Sequence, residues 1–179
     1  DPTEFLWRYS PIYKYGRYGM VFRYLTPNGK GDFAHNRDPG NDAGVVDNAI
    51  LYLGILTVKE YFKDHPDLVE MADEILSYPK WSYFVNADGN HPNQLAMGWY
   101  VHTSDFTDAY WNVYTDEAFI THVLGVASST YPISPEVFYS IHREERDIEG
   151  YKFIASWSNS LFTKLLKGIW FTSDFTDRE

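Results

Sequence analysis

The chain of 179 residues has no cysteine, which excludes a disulfide scaffold, a zinc ribbon and a thiol nucleophile and leaves the redox compartment open. Positive charge is scarce: 15 Lys and Arg stand against 25 Asp and Glu, a formal net charge of −10, and no Lys/Arg cluster occurs. Nucleic acid and an anionic membrane surface are disfavoured as partners, because both demand concentrated positive charge. No apolar run reaches the roughly 18 residues of a membrane-spanning helix. The opening "DPTEFLWRYS" lacks the basic and apolar regions of a signal peptide, so the chain reads as soluble and already processed. The histidines at 35, 65, 91, 102, 122 and 142 fit no HExxH-type spacing, and no metal or other cofactor is expected. Nor do "YKYGRYG" and "NGKGD" fit the phosphate-binding patterns GxxxxGK[ST] or GxGxxG.

What the chain holds in quantity is aromatic rings, 18% of residues as 15 Tyr, 12 Phe and 6 Trp. Such rings fill cores or stack on flat ligands. With phosphate-bearing ligands disfavoured by charge, a neutral ligand with flat faces, such as a sugar, remains. The 44% apolar and 22% charged content is ordinary for a globular chain, and the length suits one domain with a sizeable core.

Residues 1–46 are rich in Gly, Pro, Asn and aromatics, and "TPNGKGDF" and "HNRDPGNDAG" supply turn chemistry, so turns and a short hairpin are expected there. Within it, "NRDPGND" offers Asn36, Asp38, Asn41 and Asp42 as oxygen ligands but lacks the EF-hand pattern and reads as a turn. Then "VDNAILYLGILTVKEYF", 46–62, is apolar on nearly every side from Ala49 to Val58, the mark of a helix buried all round. "HPDLVEMADEILSY" follows with Leu68, Met71, Ala72, Ile75 and Leu76 at helical spacing and acids on the other face.

The pairing recurs. "EAFITHVLGVAS", 117–128, is apolar nearly all round, and "SPEVFYSIHREE" then sets Ser134 as cap and Pro135 at the first helical position of an amphipathic helix. A last helix is expected over about 159–171, with Leu161, Phe162, Leu165, Leu166, Ile169 and Trp170 opposite Lys164 and Lys167. Between the pairs, residues 81–111 show turn signals and no sustained period, a long aromatic-rich loop with room for short strands. The expected class is all-α, with alternating buried and amphipathic helices laid down as two concentric layers. Antiparallel hairpins of this kind make the inner helices parallel and gather their N-termini at one mouth, where Asp47 and Glu117 lie.

The stretches "AGVVDNAILYLGILTVKEYF", "FVNADGNHPNQLAMGWY", "YTDEAFITHVLGVASSTYPISPEVF" and "FIASWSNSLFTKLLKGIWF" resemble, in order and spacing, the glucoamylase-like domain of bacterial β-glucan-acting proteins. The resemblance implies an (α/α)6 toroid, one glucoamylase-like domain over 1–179, and glycoside hydrolysis or transfer, with β-1,2-glucan as a substrate in related enzymes. It also implies an oligosaccharide or glucan partner and a secreted or periplasmic location. A full toroid needs about a dozen helices and only about five are legible. The chain is therefore expected to be part of a larger barrel, completed by further polypeptide, a companion chain or another copy.

On this resemblance Glu117 takes the position of a mouth-lining glutamate, Asp47 the aspartate opening the first buried helix, and Asp42 an acid before it. Lys164, Gly168 and Thr172 depart from the family's polar pattern at the end, which tells against full catalytic competence. Glycosidic cleavage needs one carboxyl that protonates the leaving oxygen and a second that attacks or activates water. Glu117 and Asp47 are the catalytic candidates. Trp99, Trp111, Asp42 and Tyr114 are substrate-binding candidates, the tryptophans through stacking on sugar.

Plainer roles are open for each. Thr115 or Asp116 can cap the helix with Glu117 complementing its dipole, Asp116 is expected in solvent, and Asp42 can be the N-cap of its helix. Asp47 can bond a neighbouring loop. Trp99 and Trp111 can anchor the core, as expected of Trp81 and Trp170, and His122 reads as a hydrogen-bonded core residue. Three function classes follow: a carbohydrate-active enzyme, a sugar-binding or structural module that kept the fold without the chemistry, and a subunit that completes a barrel.

Overall fold

A computed structural model describes residues 16–24, 41–158 and 160–172. Most of the turn region expected over 1–46, with His35, Asn36 and Asp38, lies outside them. The described part of that region does hold a hairpin, β1 (Gly16–Arg17) against β2 (Met20–Val21). Its two turn residues, Tyr18 and Gly19, both have positive φ, the geometry that matches the twist of a two-residue hairpin.

The chain is mostly helical, with small hairpins. Helix α1 (Val45–Tyr61) is followed by α2 (Pro66–Ser77), and α3 (Asp116–Ala127) by the single-turn α4 (Pro135–Tyr139). A 3₁₀ turn spans Trp81–Phe84. The loop between the helix pairs is built of two nested hairpins. In the outer one, β3 (Leu95–Ala96) pairs β6 (Tyr110–Trp111); in the inner one, β4 (Trp99–Tyr100) pairs β5 (Asp105–Phe106). After α4 come the longer hairpin β7 (Glu144–Ile148) with β8 (Tyr151–Ala155), helix α5 (Phe162–Leu165) and a 3₁₀ turn over Leu166–Ile169.

The nested hairpins set where both principal helices begin. Residues 41–45 lie beside 97–101, with backbone bonds from Ala43 to Trp99 at 2.9 Å and from Val45 to Met97 at 2.9 Å just before α1 opens. Strand β6 leads within a few residues into α3. Gly98 permits the approach, since a Cβ there would come within 2.9 Å of both the Ala43 carbonyl oxygen and Asp42 Oδ2. Asn48, buried on α1, then ties the first hairpin down: it accepts from Val21 N at 2.7 Å and donates to Val21 O at 2.9 Å and Gly44 O at 2.8 Å.

One core runs between α1, α3 and the nested hairpins, with Val45, Ala49, Tyr52 and Leu53 meeting Trp81, Phe84, Leu95, Phe119 and Ile120. Helix α3 is buried on most sides, as its sequence requires. Helix α1 is not: Leu51, Leu56 and Val58 are exposed, so the side expected to be covered has no cover among the described residues. Two other elements are shorter than expected. The amphipathic helix over 134–145 stops at Tyr139, because β-pairing with β8 claims Glu144 and Glu145. The helix expected over 159–171 is only one α turn and one 3₁₀ turn, and its apolar stripe is largely in solvent, with Leu161, Phe162, Leu165 and Ile169 exposed while Leu166 is buried.

His122 is fully buried in α3, as its core reading implies. Its Nδ1 donates to the Ala118 carbonyl at 2.6 Å, and its Nε2 has no partner among the described residues. Burial pushes its pKa down from 6.5 to about 4, so the fold holds it neutral while an unfolded chain would protonate it. Stability from this site is lost as pH falls from 6.5 towards about 4. Thermal melts across that window should show the parent losing Tm relative to His122→Leu as the solution is acidified.

Candidate functional site

Helices α1 and α3 pack against each other, and their first turns carry Asp47 and Glu117. The two acids sense each other: burial raises the Glu117 pKa above the ordinary glutamate value, and the negative charge of Asp47 raises it further. Both N-termini therefore sit at one end of the pair, and the helices run the same way. A helix N-terminus favours an anion, while burial and the charge of Asp47 act the other way at Glu117.

Thr115 is the cap of α3, its buried hydroxyl accepting from Ala118 N at 2.9 Å. This frees Glu117 from capping and accounts for the turn of "YTDEA" at this point, with a cap contribution of about 1 kcal/mol. Asp42 does not cap α1, contrary to expectation; the cap is Gly44, which offers no side chain. Asp42 is instead nearly buried against Arg23, whose Nε lies 3.0 Å from Oδ1 and whose Nη2 lies 3.3 Å from Oδ2. Burial raises its pKa and Arg23 opposes the rise. The same guanidinium reaches Asp47, Nη2 to Oδ2 at 3.3 Å, so one cation bridges the two aspartates. Gly44 and Gly98 make room for this cluster, since a Cβ on Gly44 would sit 2.5 Å from Asp47 Oδ2.

Asp116 is buried, where solvent was expected. Although neighbouring helix residues face different ways, the way open to Asp116 is covered by the C-terminal segment. Its Oδ2 accepts from the backbone N–H of Lys167 at 3.1 Å, and the Lys167 ammonium stands 3.9 Å from Oδ1. Lys167 Nζ also donates to Tyr114 Oη at 3.0 Å and lies over the Tyr114 and Phe119 rings. Lys164 donates to the Ile154 carbonyl. Lys167 therefore fastens the C-terminal segment to the start of α3, where Tyr114, a candidate sugar contact, is engaged, and Lys164 ties the segment to β8.

Trp99 and Trp111 are core residues in this structure, with 8% and 5% of their surface exposed, so neither offers a stacking face. Trp99 packs near-parallel to Phe22, ring centres 6.2 Å apart, with the Arg17 guanidinium 5.4 Å from its centroid. Trp111 pairs with Leu95, and its indole N–H has no partner among the described residues. The cause is the nested hairpin, which turns both rings inward. Sequence reasoning missed Arg23. A lone basic residue in an aromatic segment carries no local sign that it will meet acids 19 and 24 positions later.

Residues 108–177 match the family model described as "Putative glucoamylase". The glucoamylase-like resemblance holds over that stretch, which contains Glu117 and the whole of α3. No curated protein matches the chain. Among solved structures, it is similar to an endo-β-1,2-glucanase from Chitinophaga pinensis in complex with sophorotriose and glucose, with a TM-score of 0.51 and 18% identity. The match covers 68% of this chain and 30% of that one, so the chain spans about a third of the glucanase it resembles. At this identity the likeness is one of fold: part of a toroid.

The buried Asp116 gives a test of the site's foundation. Asp116→Ala leaves the Lys167 N–H without its acceptor and the ammonium without its counter-charge, and should cost about 1–3 kcal/mol. Urea titration of parent and variant should show the loss as a lower midpoint with an unchanged slope.

Proposed function

We propose that this chain supplies the acid-bearing mouth of a carbohydrate-active toroid and acts on a β-glucan, with Glu117 as the proton donor and Asp47 as the carboxyl partner. One observation carries the reading: two acids on the first turns of adjacent, same-direction helices, one of them raised by burial and by the charge of the other. A general acid needs a proton near neutral pH, and desolvation beside a second carboxyl is the usual way to keep one. The sophorotriose held by the similarly folded glucanase makes a β-1,2-linked oligosaccharide the first ligand to try. Asp42 acts one layer back, holding Arg23 so that the guanidinium orients Asp47.

A second reading is favoured by Arg23 and Lys167. Arg23 occupies a carboxylate oxygen of Asp47, and Lys167 occupies the Tyr114 hydroxyl, so two of the candidate groups already have partners within the chain. On that reading the mouth binds sugar, or only shapes the barrel, without cleaving it.

Glu117→Gln keeps size and hydrogen bonding but cannot cycle a proton. It should abolish release of reducing ends from β-1,2-glucan while leaving binding and Tm close to the parent's. The same assays on β-1,3- and β-1,4-glucan report linkage. A parent that binds a glucan and cleaves none establishes the binding module; a parent that does neither removes the carbohydrate reading for this chain alone.

A further inference from the structure

The segment "WSYF" forms the 3₁₀ turn Trp81–Phe84, and residues three apart on such a turn share a side. Trp81 and Phe84 are buried and anchor the turn to the core, so Tyr83 is driven outward and keeps 48% of its surface exposed. The ring is nonetheless held. Tyr18 lies against it with ring centres 5.4 Å apart, and Tyr131 meets it edge to face at 6.0 Å. The Ser82 N–H donates to the Tyr131 carbonyl at 3.3 Å, which fixes the turn to that neighbour. An exposed aromatic face already fixed by its surroundings loses little freedom when a flat ligand lies on it.

Two cations flank this ring cluster. The Lys80 ammonium stands 5.4 Å from the Tyr83 ring centre and 5.3 Å from that of Tyr131, and the Arg17 guanidinium 4.7 Å from that of Tyr18. The chain has a formal net charge of −10, yet among the described residues neither cation pairs with a carboxylate. Their side-chain N–H groups, and the hydroxyls of Tyr18, Tyr83 and Tyr131, bond no described residue. A flat ring rimmed by donors suits a neutral pyranose, whose C–H face packs on the ring while its hydroxyl and ring oxygens accept from the cations. A polyanion is opposed by the net charge. A wholly apolar ligand would desolvate the donors and give them no acceptor.

We propose that Tyr83, flanked by Lys80 and Arg17, is an accessory site for a glucan chain, separate from the mouth. Tyr131 follows the C-terminal end of α3, and the 12 residues of that helix span about 18 Å, so the cluster and Glu117 belong to opposite ends of it. The ligand class rests on the carbohydrate reading of the mouth, but the site does not depend on whether the mouth cleaves.

The probe is sophorotriose, added to protein labelled with 3-fluorotyrosine. Fluorine NMR signals of Tyr83 and Tyr131 are assigned by their absence in Tyr83→Phe and Tyr131→Phe. Sophorotriose should shift both signals saturably, with the same affinity at low salt and at about 0.5 M salt, since a neutral ligand is not screened. Followed at Tyr131, Tyr83→Trp keeps a flat face and should bind as the parent does, whereas Tyr83→Leu should bind about tenfold more weakly. Both variants should keep the parent's far-UV circular dichroism. Sophorotriose that binds by calorimetry but leaves Tyr83 unmoved would overturn this site and leave the mouth reading standing. A Tyr83 shift from a parent that releases no reducing ends from β-1,2-glucan would sustain this site while removing cleavage at the mouth. Parent-like binding by Tyr83→Leu would show that no stacking occurs and defeat the proposal. So would signals that move only with an acidic oligosaccharide, and lose that response at high salt, because the cations would then be an anion site.

Discussion

The close approach of residues 97–101 to residues 41–45 governs this structure. Backbone pairing there launches α1, and the outer strand of the same nested hairpin runs directly towards α3. Two helices begun from one small hairpin system must start at the same end, so their first turns become neighbours. The approach is tight enough that Gly98 can carry no side chain without striking Ala43 and Asp42. Burial of the Phe119, Ile120, Tyr52 and Leu53 side chains then holds the helices together, at about 1.5–3 kcal/mol for each large apolar side chain removed from water.

Once the helix starts are side by side, their acids can no longer be treated singly. Asp42, Asp116 and Glu117 are all raised by burial, yet each is balanced differently. Arg23 opposes the rise at Asp42, and the Lys167 backbone N–H and ammonium oppose it at Asp116. Among the described residues no cation opposes the rise at Glu117, and the charge of Asp47 adds to it. Neighbouring acids at 116 and 117 thus take opposite parts. One is a structural anchor for the C-terminal segment, and the other has its pKa raised by burial and by a neighbouring acid.

The sequence made the long elements legible because their periodicity reflects burial directly. Helix α3, the half-buried α2 and the core place of His122 follow from spacing alone, whereas capping chemistry left Thr115 and Asp116 both open and the structure selects Thr115. The shared position of Asp47 and Glu117 followed from reasoning that buried helices run parallel. What could not be read depended on partners far along the chain. Arg23 meets Asp42 and Asp47, and Lys167 meets Asp116, only after folding. The inward turn of Trp99 and Trp111 depends on strand pairs of two residues, too short for alternation to show. The stripe over 161–170 and the outer side of α1 read as buried because their composition asks for cover, and the described residues do not provide it.

The account turns on the electrostatic contact between the two helix starts, and a carbon-detected NMR titration of the Glu117 side-chain carboxyl tests it most directly. In the parent, Glu117 should titrate above the ordinary glutamate value, and in Asp47→Asn it should move back towards that value, while Asp116, which answers to Lys167, keeps its own. A Glu117 titration that ignores Asp47→Asn would show that the two acids do not share a site, and the proposed mouth would have no chemistry to support it.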